Sequence, residues 1–96
     1  MADEIRFEWD EANLEHIARH EVSQEEAEQA MINDPMDDGY EVTKGEERWT
    51  STGHTNRLRV LKLVWTLRQA AVIRVLAAFD VSRDAAREYL QTKVGL

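Results

Sequence analysis

The spacing of apolar residues changes along this chain, and that change limits its architecture more than any other feature. After a short opening strand the apolar residues recur at helical spacing as far as Asp34-Pro35. From Asp37 onward they alternate, and near the end helical spacing returns. Residues at i, i+3 and i+4 share one helix face, whereas alternate residues share one strand face, so the switch marks helices giving way to strands. The order strand, two helices, meander, helix lacks the repeated strand–helix alternation that builds a parallel sheet. The expected class is therefore α+β, with an antiparallel sheet of about four strands, two N-terminal helices and one C-terminal helix.

Local signals place these elements. Ile5, Phe7 and Trp9 alternate with Arg6, Glu8 and Asp10, as in a strand with one buried face, and Asp10 can cap a following helix through Leu14, Ile17 and Ala18. Ser23 with Glu26 makes a capping box, Val22 is placed to pack against Ala27, and Asp34-Pro35 stops the second helix. Asp38-Gly39, Lys44-Gly45, Gly53 through Asn56, and Arg68-Gln69 are turn formers between the strands. In 58–67, Leu61, Leu63, Trp65 and Leu67 face one way and Val60, Lys62, Val64 and Thr66 the other. The partner 71–78 is nearly all apolar except for Arg74. Ser82 caps a last helix that should bury Ala86, Tyr89 and Leu90.

At 96 residues the chain is expected to form a single domain, 1–96, with one modest core, so an interface with a partner or a second copy would add substantially to its stability. Cysteine is absent, which excludes disulfides and thiolate metal sites. The acidic Met1-Ala2-Asp3-Glu4 is unlike a signal peptide and no apolar run approaches a membrane span, so a cytoplasmic protein without membrane contact is expected. The net charge of −7 argues against nucleic acid, but it is unevenly spread: residues 1–48 hold 16 acidic and 4 basic side chains, and 49–96 hold 3 acidic and 8 basic. Either the two halves form solvated faces of opposite sign, or the second half faces a polyanion.

Several residues can carry chemistry. Cleaving RNA without a metal needs a base for the 2′-hydroxyl, guanidinium groups for the phosphate and an acid for the leaving oxygen. Arg48 and Arg74 are candidate clamps, Glu47 or His54 candidate acid or base, and Arg57, Arg59 and Lys62 candidate RNA contacts. Strand arginines paired with neighbouring carboxylates would look the same, and from composition alone that is the commoner case. His16 and His20, four apart, lack a third ligand, so neither a metal nor a cofactor is expected. Trp9 and Trp65 read as core; Trp49 is open to either core packing or base stacking.

Together, Phe7-Glu8-Trp9-Asp10-Glu11, Asn13 through His20, and Val22-Ser23 with Glu25-Glu26-Ala27-Glu28 resemble the N-terminal signature of the BrnT toxin family. The register continues through Asp34-Pro35, Gly45-Glu46-Glu47-Arg48, Gly53-His54-Thr55 and Arg74 through Ala78, so the similarity spans roughly residues 7–90. The resemblance implies a RelE-like fold and an RNA-cleaving toxin, neutralised by a ribbon-helix-helix antitoxin encoded beside it. Two departures stand out. Phe79 occupies the position of a family arginine, and Ala85-Ala86 precede Tyr89 where the family has a Glu-Arg pair. Loss of that guanidinium implies weakened or absent cleavage. The alternative is a non-catalytic module that uses the toxin fold to bind an antitoxin-like partner or itself.

Overall fold

The computed structural model describes residues 5–69 and 71–96; the acidic Met1–Glu4 segment lies outside them. The described elements are β1 (Arg6–Phe7), α1 (Glu11–Ala18), α2 (Gln24–Ile32), β2 (Met36–Thr43), β3 (Glu46–His54), β4 (Val60–Arg68), β5 (Val72–Asp80) and α3 (Arg83–Lys93). The sheet order is β1-β5-β4-β3-β2. The class is the expected α+β, but the sheet has five strands and is mixed. Strands β2 to β5 form an antiparallel meander, and β1 joins β5 in parallel through Arg6↔Val72 and Phe7↔Ile73. Alternation identifies a strand without naming its neighbour or direction, which is why β1 was legible and its pairing was not.

Local chemistry explains the helix starts. Asp10 accepts from the Asn13 backbone while the Asn13 side chain accepts from the Asp10 backbone, closing a capping box at α1. The buried Asn13 amide also donates to the Glu8 and Val75 carbonyls, at 2.9 and 3.2 Å, tying α1 to β5. At α2 the Ser23–Glu26 box is closed from both sides at 3.1 Å. Both helices press on one sheet face, burying Ile17, Val22, Ala27, Ala30 and Met31 against Leu61, Leu63, Val75 and Ala78. Full burial of an aliphatic side chain such as Ile17 is worth about 1.5–3 kcal/mol. Gly53 lets α2 approach β3, because a Cβ there would collide with the Ala30 carbonyl.

The structure corrects several local expectations. Asp38-Gly39 is not a turn: β2 runs through it with a bulge, because Asp37 and Asp38 accept from the Ser51 and Thr52 hydroxyls of β3, at 2.8 and 2.7 Å. Gly53 and His54 end β3, and the turn proper is Thr55–Arg59, where the buried Thr55 hydroxyl accepts from two backbone amides. In β5 the register jumps from Ala77 to Val75 against consecutive residues of β4, so Leu76 is an extra residue. Val75 and Ala78, three apart, therefore both reach the core face. Lastly, α3 buries Tyr89 fully, while Ala86 and Leu90 stay half-exposed. Among the described residues no helix is long and apolar enough to cross a membrane.

Candidate functional site

Strand alternation combined with register divides the side chains between the two sheet faces. Leu61, Leu63 and Trp65 lie on the face covered by α1 and α2. Lys62, Val64 and Thr66 lie on the other, together with Thr50 and Thr52 of β3 and Arg74 and Phe79 of β5. Arg48 alternates with Thr50 and so shares this second face. Continuing the Trp49↔Trp65 register by one step sets Arg48 beside Thr66, whose other neighbour is Arg74. The two arginines thus flank the buried Thr66, two strand spacings or about 10 Å apart.

The other proposed participants are dispersed. Glu47 is adjacent to Arg48 in β3 and hence on the opposite face, where it accepts from the Tyr40 hydroxyl at 2.8 Å. That hydrogen bond raises the pKa of the Tyr40 hydroxyl. His54 lies six residues along β3 from Arg48, about 20 Å away. Arg57 is exposed in the turn beside the start of α2. Arg59 is the hub of that end of the molecule. Its guanidinium grips Asp80 with two hydrogen bonds (2.8 and 2.9 Å), reaches both Glu26 oxygens (3.1 and 3.2 Å), and donates to the Glu21 and His20 carbonyls. The hydrogen bond from Arg59 lowers the Asp80 pKa, and Glu26 is lowered first by the Ser23 backbone amide and then by Arg59. Arg59 holds the fold and has little donor capacity left for phosphate.

On the second face Arg48 and Arg74, with Arg68 and Lys62, lie beside carboxylates. Arg48 is 3.0 Å from Glu46, and Arg74 reaches Glu8 at 3.0 Å and Asp10 at 2.9 Å. Arg68 lies between Glu8 and Glu46 at 3.8 and 3.7 Å, and Lys62 is 3.3 Å from Asp38. Alternation is the cause: Glu46 is two residues before Arg48, and Glu8 continues from β1 on the same face as Arg74. Ion pairs as exposed as Arg48–Glu46 are worth under about 1 kcal/mol, so a phosphate could compete for that arginine. Arg74, only 12% exposed and holding Asp10 through two donors, is far more committed. Its hydrogen bond holds the Asp10 pKa below the usual carboxylate range.

A cleft on this face lies elsewhere, between the sheet and α3, with a volume of about 560 Å³. Its floor is a single row across four strands, Met36, Thr52, Lys62 and Phe79, each paired with the next. Above the floor, α3 contributes Glu88 and Tyr89. The Tyr89 hydroxyl is 3.0 Å from His54 Nδ1 and donates to the Asp34 carbonyl at 3.4 Å; burial pushes its pKa up, so it stays protonated at neutral pH. Sequence reasoning read Tyr89 as core and did not connect Thr52 or Glu88 with a site, since no local pattern discloses a row assembled from four strands. Phe79 was singled out by the resemblance, and its ring lies 5.8 Å from that of His20, so His20 faces an aromatic side chain.

The tryptophans sit on the helix side. Trp9 donates to Glu28 at 2.7 Å, and Trp65 donates to Ser51 at 2.9 Å. Trp49 stacks on Trp65 at 5.0 Å and meets Tyr40 at 5.6 Å, which resolves its role as packing within an aromatic row.

A search of curated proteins found no match. The family model described as the ribonuclease toxin BrnT of type II toxin-antitoxin systems matches residues 9–85, from the tryptophan after β1 into the first turn of α3. That span takes in both N-terminal helices, the whole meander and the Phe79 row. The chain belongs to the BrnT family of ribonuclease toxins, a membership that implies an antitoxin partner.

Proposed function

We propose that this protein keeps the fold and partner binding of its toxin family while its metal-independent RNA cleavage is weakened or absent. One observation carries the reading: in the cleft, the row Thr52–Lys62–Phe79 ends in a phenyl ring where the family resemblance calls for an arginine. A phenyl ring cannot stabilise the charge that develops on a phosphate in the transition state. The remaining cations offer no ready substitute, because Lys62 is paired with Asp38, Arg74 with Asp10 and Arg59 with Asp80. His54 and the protonated Tyr89 stay at one end of the cleft as a residual acid–base pair, with Arg57 as the accessible RNA contact, while Lys62 would touch RNA only by releasing Asp38. Arg48 and Arg74 would act only if RNA displaced their carboxylates, and the position of Glu47 on the opposite face, bonded to Tyr40, speaks against a role beside Arg48. Induced expression in a bacterium that lacks the antitoxin tests this. The wild type should leave growth nearly unchanged while Phe79→Arg arrests it; arrest by the wild type would refute the reading.

A second reading is favoured by the same ion pairs, which leave a charge-balanced surface better suited to a protein than to phosphate. Here the chain is a cytoplasmic binding module for a ribbon-helix-helix antitoxin or for a second copy of itself. Co-purification of the product of the adjacent reading frame supports it, and recovery of RNA alone counts against it.

A further inference from the structure

The charges around the cleft specify what it accepts. Lys62, the cation of its floor, is 3.3 Å from Asp38, and Asp80 at one end is gripped by Arg59. Glu88 projects from an exposed position on α3, and among the described residues no cation lies within ion-pairing distance of it. The uncommitted charge at the rim is therefore negative. Beside it are the Phe79 ring, whose face attracts cations, and the apolar surface of Met36, Val81 and Ala85. A phosphate entering here would meet a carboxylate and find the floor cation already engaged. A guanidinium or ammonium group on an apolar segment would find a carboxylate, an aromatic face and hydrophobic contact together. The net charge of −7 would also draw a basic segment toward the protein.

We infer that this cleft binds a basic, partly apolar segment of a partner polypeptide, with an arginine or lysine side chain lying over Phe79 and meeting Glu88. The inference rests on the partner binding proposed above, not on the loss of cleavage. It accounts for Phe79 as a contact surface rather than only as a lost catalytic group.

The test is an NMR titration of the ¹⁵N-labelled full chain with a blocked hexapeptide of alternating leucine and arginine, its leucine–glutamate counterpart, and hexauridylate. The arginine peptide should shift the Thr52, Phe79, Glu88 and Tyr89 amides, and its affinity should fall as salt rises. The exposed Glu88→Lys should weaken binding about tenfold or more without altering the fold, and Phe79→Leu should weaken it several-fold. Shifts confined to other surfaces, affinity unchanged in Glu88→Lys, or tighter binding of hexauridylate to the same amides would each overturn the inference. RNA cleavage by the wild type alongside intact peptide binding would refute the loss of activity and leave this inference standing.

Discussion

Replacing Arg59 with methionine keeps most of the side chain's apolar bulk and removes a guanidinium that joins three parts of the molecule. It reaches Asp80 at the end of β5, Glu26 in the first turn of α2, and the His20 and Glu21 carbonyls of the α1–α2 connection. Breaking a buried ion pair costs about 3–5 kcal/mol and an exposed one under about 1. Arg59 is 26% exposed but carries two carboxylates and two carbonyls. The expected loss is thus about 2–4 kcal/mol, or on the order of 10–20 °C in melting temperature for a domain of this size. Arg59→Lys should recover about half, because an ammonium cannot hold Asp80 with two parallel bonds. The pH dependence supplies a second signature. Asp80 and Glu26 have lowered pKa values in the folded state, so their contribution is fully present above the unfolded carboxylate range and is lost as pH falls through their folded values. Urea denaturation should therefore show the gap between wild type and Arg59→Met narrowing from pH 6 toward pH 3. A gap under 0.5 kcal/mol at pH 7, or one of constant size down to pH 3, would refute the assignment of Arg59 as a structural hub.

Other substitutions probe separate links. Ser23→Ala should cost about 1 kcal/mol by opening the capping box of α2, and an unchanged urea midpoint would contradict it. Asn13→Leu should cost about 2–3 kcal/mol, since it strips hydrogen bonds from the Glu8 and Val75 carbonyls, and thermal unfolding reads the loss directly. Gly53→Ala should push α2 away from β3 and cost about 3 kcal/mol or more, detectable as faster amide exchange across Ala27–Met31. Tyr89→Phe should remove about 1 kcal/mol and free the His54 ring, visible as changed chemical shifts of its ring protons.

Features written in neighbouring residues were legible. The Ser23–Glu26 box, the Pro35 stop and the alternation of β4 each depend on residues a few positions apart. Features assembled across the chain were not. Asp38-Gly39 has the composition of a turn, but the ladder with β3 and the hydroxyls of Ser51 and Thr52 on that neighbouring strand keep β2 extended through it. The Leu76 bulge reverses the facing of every later residue in β5, which no count along 71–78 discloses. Of the candidate site, the separation of Glu47 from Arg48 was available in advance, because consecutive strand residues point to opposite faces. Neither the carboxylate partners of Arg48 and Arg74 nor the Thr52–Lys62–Phe79 row could be read without the sheet register.

The proposal that Phe79, standing where the family resemblance calls for an arginine, leaves RNA cleavage weakened or absent is tested by single-turnover cleavage of structured RNA by the purified protein without metal, with or without ribosomes. The wild type should show only background cleavage and Phe79→Arg a rate higher by on the order of 10²–10³, with both chains showing the same fold by circular dichroism. Cleavage by the wild type at a rate that Phe79→Arg does not raise would contradict the proposal.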